Sequence, residues 1–102
     1  MNNKIMIYGL TQEDANIKLN DIIDRRIPAI DIKNRTRDFV LLTNGDSYRA
    51  VRVHQGARGY KWHYAYIDVF IPKKIVNNII LPAYAGETGC DWGESGVKFE
   101  WF

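Results

Sequence analysis

Residues 4–8, Lys-Ile-Met-Ile-Tyr, form an apolar run that stops at Gly9, and a helix-start signal follows within two residues. The run suits a buried strand. Thr11 is placed as an N-cap, with Asp14 three residues later as its capping-box partner, and Glu13 and Asp14 put negative charge where the helix dipole favours it. Ala15, Leu19, Ile22 and Ile23 then recur at i, i+4, i+7 and i+8, one apolar stripe, while Lys18, Asn20, Asp21 and Asp24 lie outside it. Arg25 and Arg26 suit the last turn, and Pro28 forbids continuation. A strand that feeds at once into a helix with one apolar stripe must fold that helix back onto a sheet. This restricts the chain to α/β architectures.

The rest of the chain extends the pattern. Residues 29–38 alternate poorly and read as a loop or a short edge strand. Residues 39–43 predict a strand, Asn44-Gly45-Asp46 a tight hairpin turn, and residues 47–54 the returning strand. Residues 56–62 hold two glycines with Arg58 and Lys61 between aromatic residues, a loop expected to be mobile or to face a ligand. Residues 64–71 predict a fourth strand. Pro72 is expected at the first position of a helix over residues 72–81, with Ile75, Val76, Ile79 and Ile80 on its stripe and Pro82 ending it. Residues 86–96 are rich in turn formers, and residues 97–102 alternate enough for a last strand. The expected fold is a single α/β domain over residues 1–102, a mixed sheet of about five strands with two packed helices.

Composition narrows the function classes. At 102 residues the chain has room for one core. Cys90 is the only cysteine, which excludes an intrachain disulfide and a zinc site built on several thiolates. His54 and His63 match no common metal spacing, Asp91 beside Cys90 disfavours a thiolate, and no paired carboxylates of a hydrolase stand out. No metal, cofactor or catalytic residue is assigned. The longest apolar runs fall far short of the roughly 20 residues that cross a bilayer. No membrane association is expected, and the N-terminus resembles no signal peptide, so the expected location is the cytoplasm.

Residues 4 to 85 carry one family resemblance. Ile-Tyr-Gly-Leu-Thr11-Gln12-Glu-Asp-Ala15, the turn at Leu41-Leu42-Thr43-Asn44-Gly45, Ala57-Arg58-Gly59 ahead of Tyr64-Ala-Tyr-Ile-Asp68, and the segment from Ile71-Pro72 to Pro82 follow one another in order. The series resembles part of the ATPase core of phage terminase large subunits and related P-loop ATPases. The resemblance implies that Asp68 is a vestigial Walker B-like acid. Two departures separate the chain from that family: no Gly-x-x-x-x-Gly-Lys-[Ser/Thr] run cradles a phosphate, and Val69 stands where a second carboxylate would orient water.

Charge supplies the remaining signal. Residues 25–61 hold nine basic side chains against three acidic ones, a local +6, while the remainder sums to −4; all seven arginines lie in that stretch. Two readings follow. The first is a non-catalytic phage-type small protein, confined to a host cytoplasm, that binds a protein partner and modulates a DNA-handling or defence machine. The second is a nucleic-acid-binding module. The expected binding residues are Arg35, Arg37, Arg49, Arg52, Arg58, Lys61 and Trp62, cations and a ring suited to phosphates and bases. The aromatic tail of Trp92, Phe99, Trp101 and Phe102 adds a third expectation, self-association through the C-terminal strand, against closure of the domain's own core.

Overall fold

The computed structural model describes residues 3–53, 61–83 and 99–102. Along the chain run β1 (Lys4–Gly9), α1 (Gln12–Arg26), a 3₁₀ turn (Ala29–Asp31), β2 (Ile32–Arg35), β3 (Phe39–Leu42), β4 (Ser47–Arg52), β5 (Tyr64–Ile67), α2 (Lys73–Ile75) and β6 (Phe99–Trp101). The strands form one mixed sheet in the order β2-β3-β4-β1-β5-β6. β1 lies at its centre, parallel to β4 on one side and to β5 on the other. β6 extends the parallel half, whereas β2, β3 and β4 are joined antiparallel. The α/β class, the single domain and the two packed helical segments are as the sequence predicts, with residues 32–35 supplying the edge strand and bringing the count to six among the described residues.

Period-two alternation along β1 divides the interior into two cores. Ile5 and Ile7 join the α1 stripe, Ala15, Leu19, Ile22 and Ile23, together with Val40, Leu42, Ala50 and Tyr66. Met6 and Tyr8 turn to the other face, where they meet Val53, Trp62, Ala65, Ile67, Ile71, Val76 and Ile80. α1 therefore covers one face and the 73–83 helical segment the other, a three-layer arrangement.

The helix signals act as expected at the start of α1. Thr11 is extended, and its hydroxyl oxygen accepts the Asp14 N–H at 3.1 Å. Ile27 ends the helix one residue before Pro28, donating its own N–H to the Ile23 carbonyl. Gly45 carries the hairpin with a φ of 95°, a conformation that an L side chain rarely adopts.

The expectations on residues 47–82 change at four points. β4 ends at Arg52, and β5 stops at Ile67 because Asp68 opens a turn. Pro72 caps the second helix from outside its first turn. That segment is no regular α-helix: after Lys73–Ile75 it widens over Val76–Ile80, where the Leu81 N–H reaches back five residues to the Val76 carbonyl, and it closes as a 3₁₀ turn over Leu81–Ala83. Pro82 thus sits inside the final turn. Its ring would collide with the carbonyl four residues back in a regular helix, and a wider turn removes that conflict. Val76, Ile79 and Ile80 still face the core. The expected turn-rich segment 86–96 lies outside the described residues.

Two predictions follow. A Cβ on Gly9 would stand 2.6 Å from the Ala15 nitrogen and 2.7 Å from the Thr11 oxygen, both backbone atoms with nowhere to go. Gly9→Ala is expected to destabilise the domain by about 1–3 kcal/mol, read from urea unfolding; an unchanged midpoint would show that α1 can retreat. Secondly, burial holds the phenols of Tyr48, Tyr64 and Tyr66 above their usual value of 10.0, with Arg26 opposing the shift in each. A raised native value gives stability that is complete below pH 10.0 and is lost as pH rises through the native values. Tyrosinate absorbance should therefore emerge at higher pH in the native chain than in the urea-unfolded one, and coincident titrations would contradict the burial of Tyr66 in the first core and the packing of Tyr48 and Tyr64 against it.

Candidate functional site

β1 and β5 are neighbours, and the connections that leave them run to opposite faces, α1 on one and the 73–83 segment on the other. The crevice between the carboxyl ends of two such strands is where open α/β sheets place ligands. Here it is closed by Asp68. The residue is only 6% exposed, and each carboxylate oxygen accepts a backbone N–H: Oδ2 from Leu10 at 3.4 Å and Oδ1 from Phe70 at 2.9 Å. Its own N–H donates to the Tyr8 carbonyl, and its carbonyl accepts the Ile71 N–H at 3.1 Å. Asp68 therefore ties the loop after β1 to the turn after β5. With both oxygens engaged by backbone donors, the arrangement is that of a turn-forming aspartate.

What this turn presents is apolar. Val69 and Phe70, its two central residues, are 54% and 77% exposed, and Leu10, tethered to the same carboxylate, is 45% exposed. The Val69 N–H donates to the Phe102 carbonyl at 2.8 Å, which brings the end of β6 alongside, with Trp101 44% exposed. Four large apolar side chains thus stand on three adjoining segments at one end of the parallel strands. Central positions of a turn are ordinarily polar or glycine, so Val-Phe here is not explained by the turn itself.

Among the described residues, the expected binding residues do not converge. Arg35 lies on the α1 side of the sheet and is held by Asn20 at 2.8 Å and Asp24 at 3.0 Å, tying β2 to α1. Arg37 is exposed in the turn between β2 and β3. Arg49 points to the opposite face, its guanidinium 4.7 Å from the centre of the Phe39 ring. Arg52 is exposed at the carboxyl end of β4, while Lys61 is exposed at the far end of the sheet, where the neighbouring His63 N–H meets the Lys4 carbonyl. Arg58 lies outside the described residues, as do His54, Cys90 and Trp92. The expectation for Trp62 is corrected: the ring is fully buried in the second core, and its Nε1–H donates to the Ile80 carbonyl at 2.8 Å. It anchors the 73–83 segment and has no face free to stack a base.

Three residues at this end of the sheet, Gln12, Val69 and Phe70, have roles that the sequence alone does not assign. Gln12 uses both ends of its amide on the last residues of β4, donating to the Ala50 carbonyl at 2.8 Å and accepting the Arg52 N–H at 3.1 Å. It pairs backbone groups that β3 is too short to reach. The Val69-Phe70 pair had a signal, an aspartate followed by a proline four positions on, which marks a turn more strongly than a continuing strand.

Among the described residues no group of three or more histidine, cysteine, aspartate or glutamate side chains is placed to hold a metal ion, and no helix is long and apolar enough to cross a membrane. No family model, no curated protein and no solved structure matches the chain.

Asp68→Asn replaces one acceptor with an amide donor facing a backbone N–H. The expected loss is about 1–3 kcal/mol, with faster amide exchange at Leu10 and Phe70 than elsewhere in β1 and β5. Exchange that is unaltered at those two amides would show that the carboxylate does not hold the turn.

Proposed function

We propose that this chain is a non-catalytic protein-binding domain that docks its partner at the carboxyl end of the parallel strands, through Leu10, Val69, Phe70 and Trp101. The observation that carries this reading is the Asp68 turn. A buried carboxylate fixes in place two bulky apolar side chains that contribute to neither core, on a chain that must otherwise remain soluble. Exposed aromatic side chains on a backbone held by hydrogen bonds, with further apolar side chains on adjoining segments, are the composition expected of an interface anchor.

The non-catalytic half of the reading rests on different facts. The sequence has no phosphate-cradling glycine run, and Asp68, the acid at the carboxyl end of β5, has both oxygens on backbone donors. The resemblance of residues 4 to 85 to a P-loop ATPase core points the same way, to a scaffold used without its phosphate loop, and makes a DNA-handling or defence machine the class of partner we favour. Nucleic-acid binding ranks second because the arginines are divided between two faces and several levels of the sheet.

The test compares the wild-type chain with Val69→Ser/Phe70→Ser, both tagged and passed through nuclease-treated lysate of the source cells. Both residues are exposed, so the double variant should keep the native amide spectrum. Retention of one protein by the wild type and its loss by the variant supports the proposal. Equal retention by both, or retention of nucleic acid alone before nuclease treatment, overturns it.

A further inference from the structure

Among the described residues, β2 and β6 are the two edges of the sheet, and they are built differently. β2 is bulged between Ile32 and Asn34 and carries Lys33 and Arg35, features that deter another strand from pairing with it. β6 is Phe99-Glu100-Trp101, with no proline, lysine or bulge. Its outer edge can be read from its inner one. Phe102 bonds to β5 through both its N–H, to the Ile67 carbonyl, and its carbonyl, from the Val69 N–H. Backbone groups alternate sides along a strand, so Glu100 also faces β5, and the N–H and carbonyl groups of Phe99 and Trp101 face outward.

Side chains on this edge are equally ordered. Phe99 and Trp101 lie on one face in an edge-to-face contact, centroids 5.4 Å apart, with Phe99 packed on the second core and Trp101 half-exposed. Glu100 is exposed on the other face, where its charge helps to hold the Tyr64 phenol above its usual value. An incoming strand would therefore meet an acid between two aromatic residues.

We infer that β6 accepts an extended segment of a protein partner as a seventh strand, one that sets a lysine or arginine opposite Glu100 and apolar residues beside Phe99 and Trp101. The occupant is chosen by charge. A second copy of the chain, paired antiparallel over all three strand residues, would set Glu100 against Glu100 in a non-hydrogen-bonded pair with Cα atoms only about 4.5 Å apart, which is repulsive. A cation at the same place is attracted. The bond between Val69 and Phe102 makes this edge continuous with the Val69-Phe70 turn, so a strand laid along β6 runs onto the proposed docking surface. The inference deepens the partner-binding reading and rests on it.

The probes are two synthetic peptides, Thr-Val-Lys-Val-Thr and Thr-Val-Glu-Val-Thr, titrated to millimolar concentration into the wild-type chain and into Glu100→Lys while the amide spectrum is followed. The expected result is a shift centred on the Phe99 and Trp101 amides, with the lysine peptide favoured by roughly threefold in the wild type, the size of a cross-strand charge pair, and the glutamate peptide favoured in the variant. No shift at those two amides, a preference that does not reverse, or dimerisation of the wild-type chain alone overturns the inference. Val69→Ser/Phe70→Ser should retain the peptide response. If it does while losing the cellular partner, the docking surface and the strand edge are separate contributions. If the peptides fail but the cellular partner is still lost by that variant, only the edge inference falls.

Discussion

A contact between backbones, at Gly9, sets the position of everything that follows it. With no Cβ, the end of β1 lies against the Thr11 carbonyl and the Ala15 nitrogen, and α1 descends onto the sheet at the one distance that lets Ala15, Leu19, Ile22 and Ile23 meet Ile5 and Ile7. A helix held one methyl group farther away would leave a gap along the whole stripe, since cores tolerate empty space poorly. Gln12 then pairs the backbone of β4 from the first turn of the same helix, so the placement of α1 also governs how far β4 can run beyond the reach of β3.

The same junction explains why Asp68 is buried. Two parallel strands that end side by side leave backbone N–H groups at their carboxyl ends without strand partners, and an unpaired buried N–H costs about as much as a lost hydrogen bond. One carboxylate serves both loops, bonding Leu10 and Phe70. Fixing the turn in this way also fixes what the turn exposes. Leu10, Val69 and Phe70 cannot retreat into the second core without breaking the bonds at Asp68, so apolar exposure and backbone satisfaction are two consequences of one residue.

The N-terminal half was legible in the sequence because its signals are local. A cap, an apolar stripe and a proline bound α1, and Asn-Gly marks the hairpin; each acts within a few residues of where it is written. The parallel pairing of β1 with β4 and β5 could be inferred only as a class, since register between strands 40 or more residues apart has no local signature. Residues 64–82 differ from the sequence expectation for a definite reason: their apolar pattern predicts a continuous strand and a regular helix, whereas the Asp68 carboxylate begins a turn and Pro82 is accommodated by widening. The arginines differ from it for another reason. Closeness in sequence is not closeness in space on a pleated strand, where Arg49 and Arg52, three residues apart, fall on opposite faces. Trp62 sits between two glycines upstream and a strand downstream, and nothing in that context distinguishes a displayed ring from a buried one.

Among the described residues, the sheet has one guarded edge and one edge that no strand covers, and the contrast bears on how it is used. Bulging β2 and lining it with cations gives up regular pairing there, yet that is the edge farthest from the apolar turn. β6 lies next to that turn, is short and aromatic, and has Glu100 as its one charged side chain. A charge at the centre of an edge strand does two things at once. It repels an identical strand, and it selects among foreign ones by the sign of the residue opposite. On the inferred pairing, the charge that would disfavour a second copy of β6 is the same charge that would recognise a basic segment.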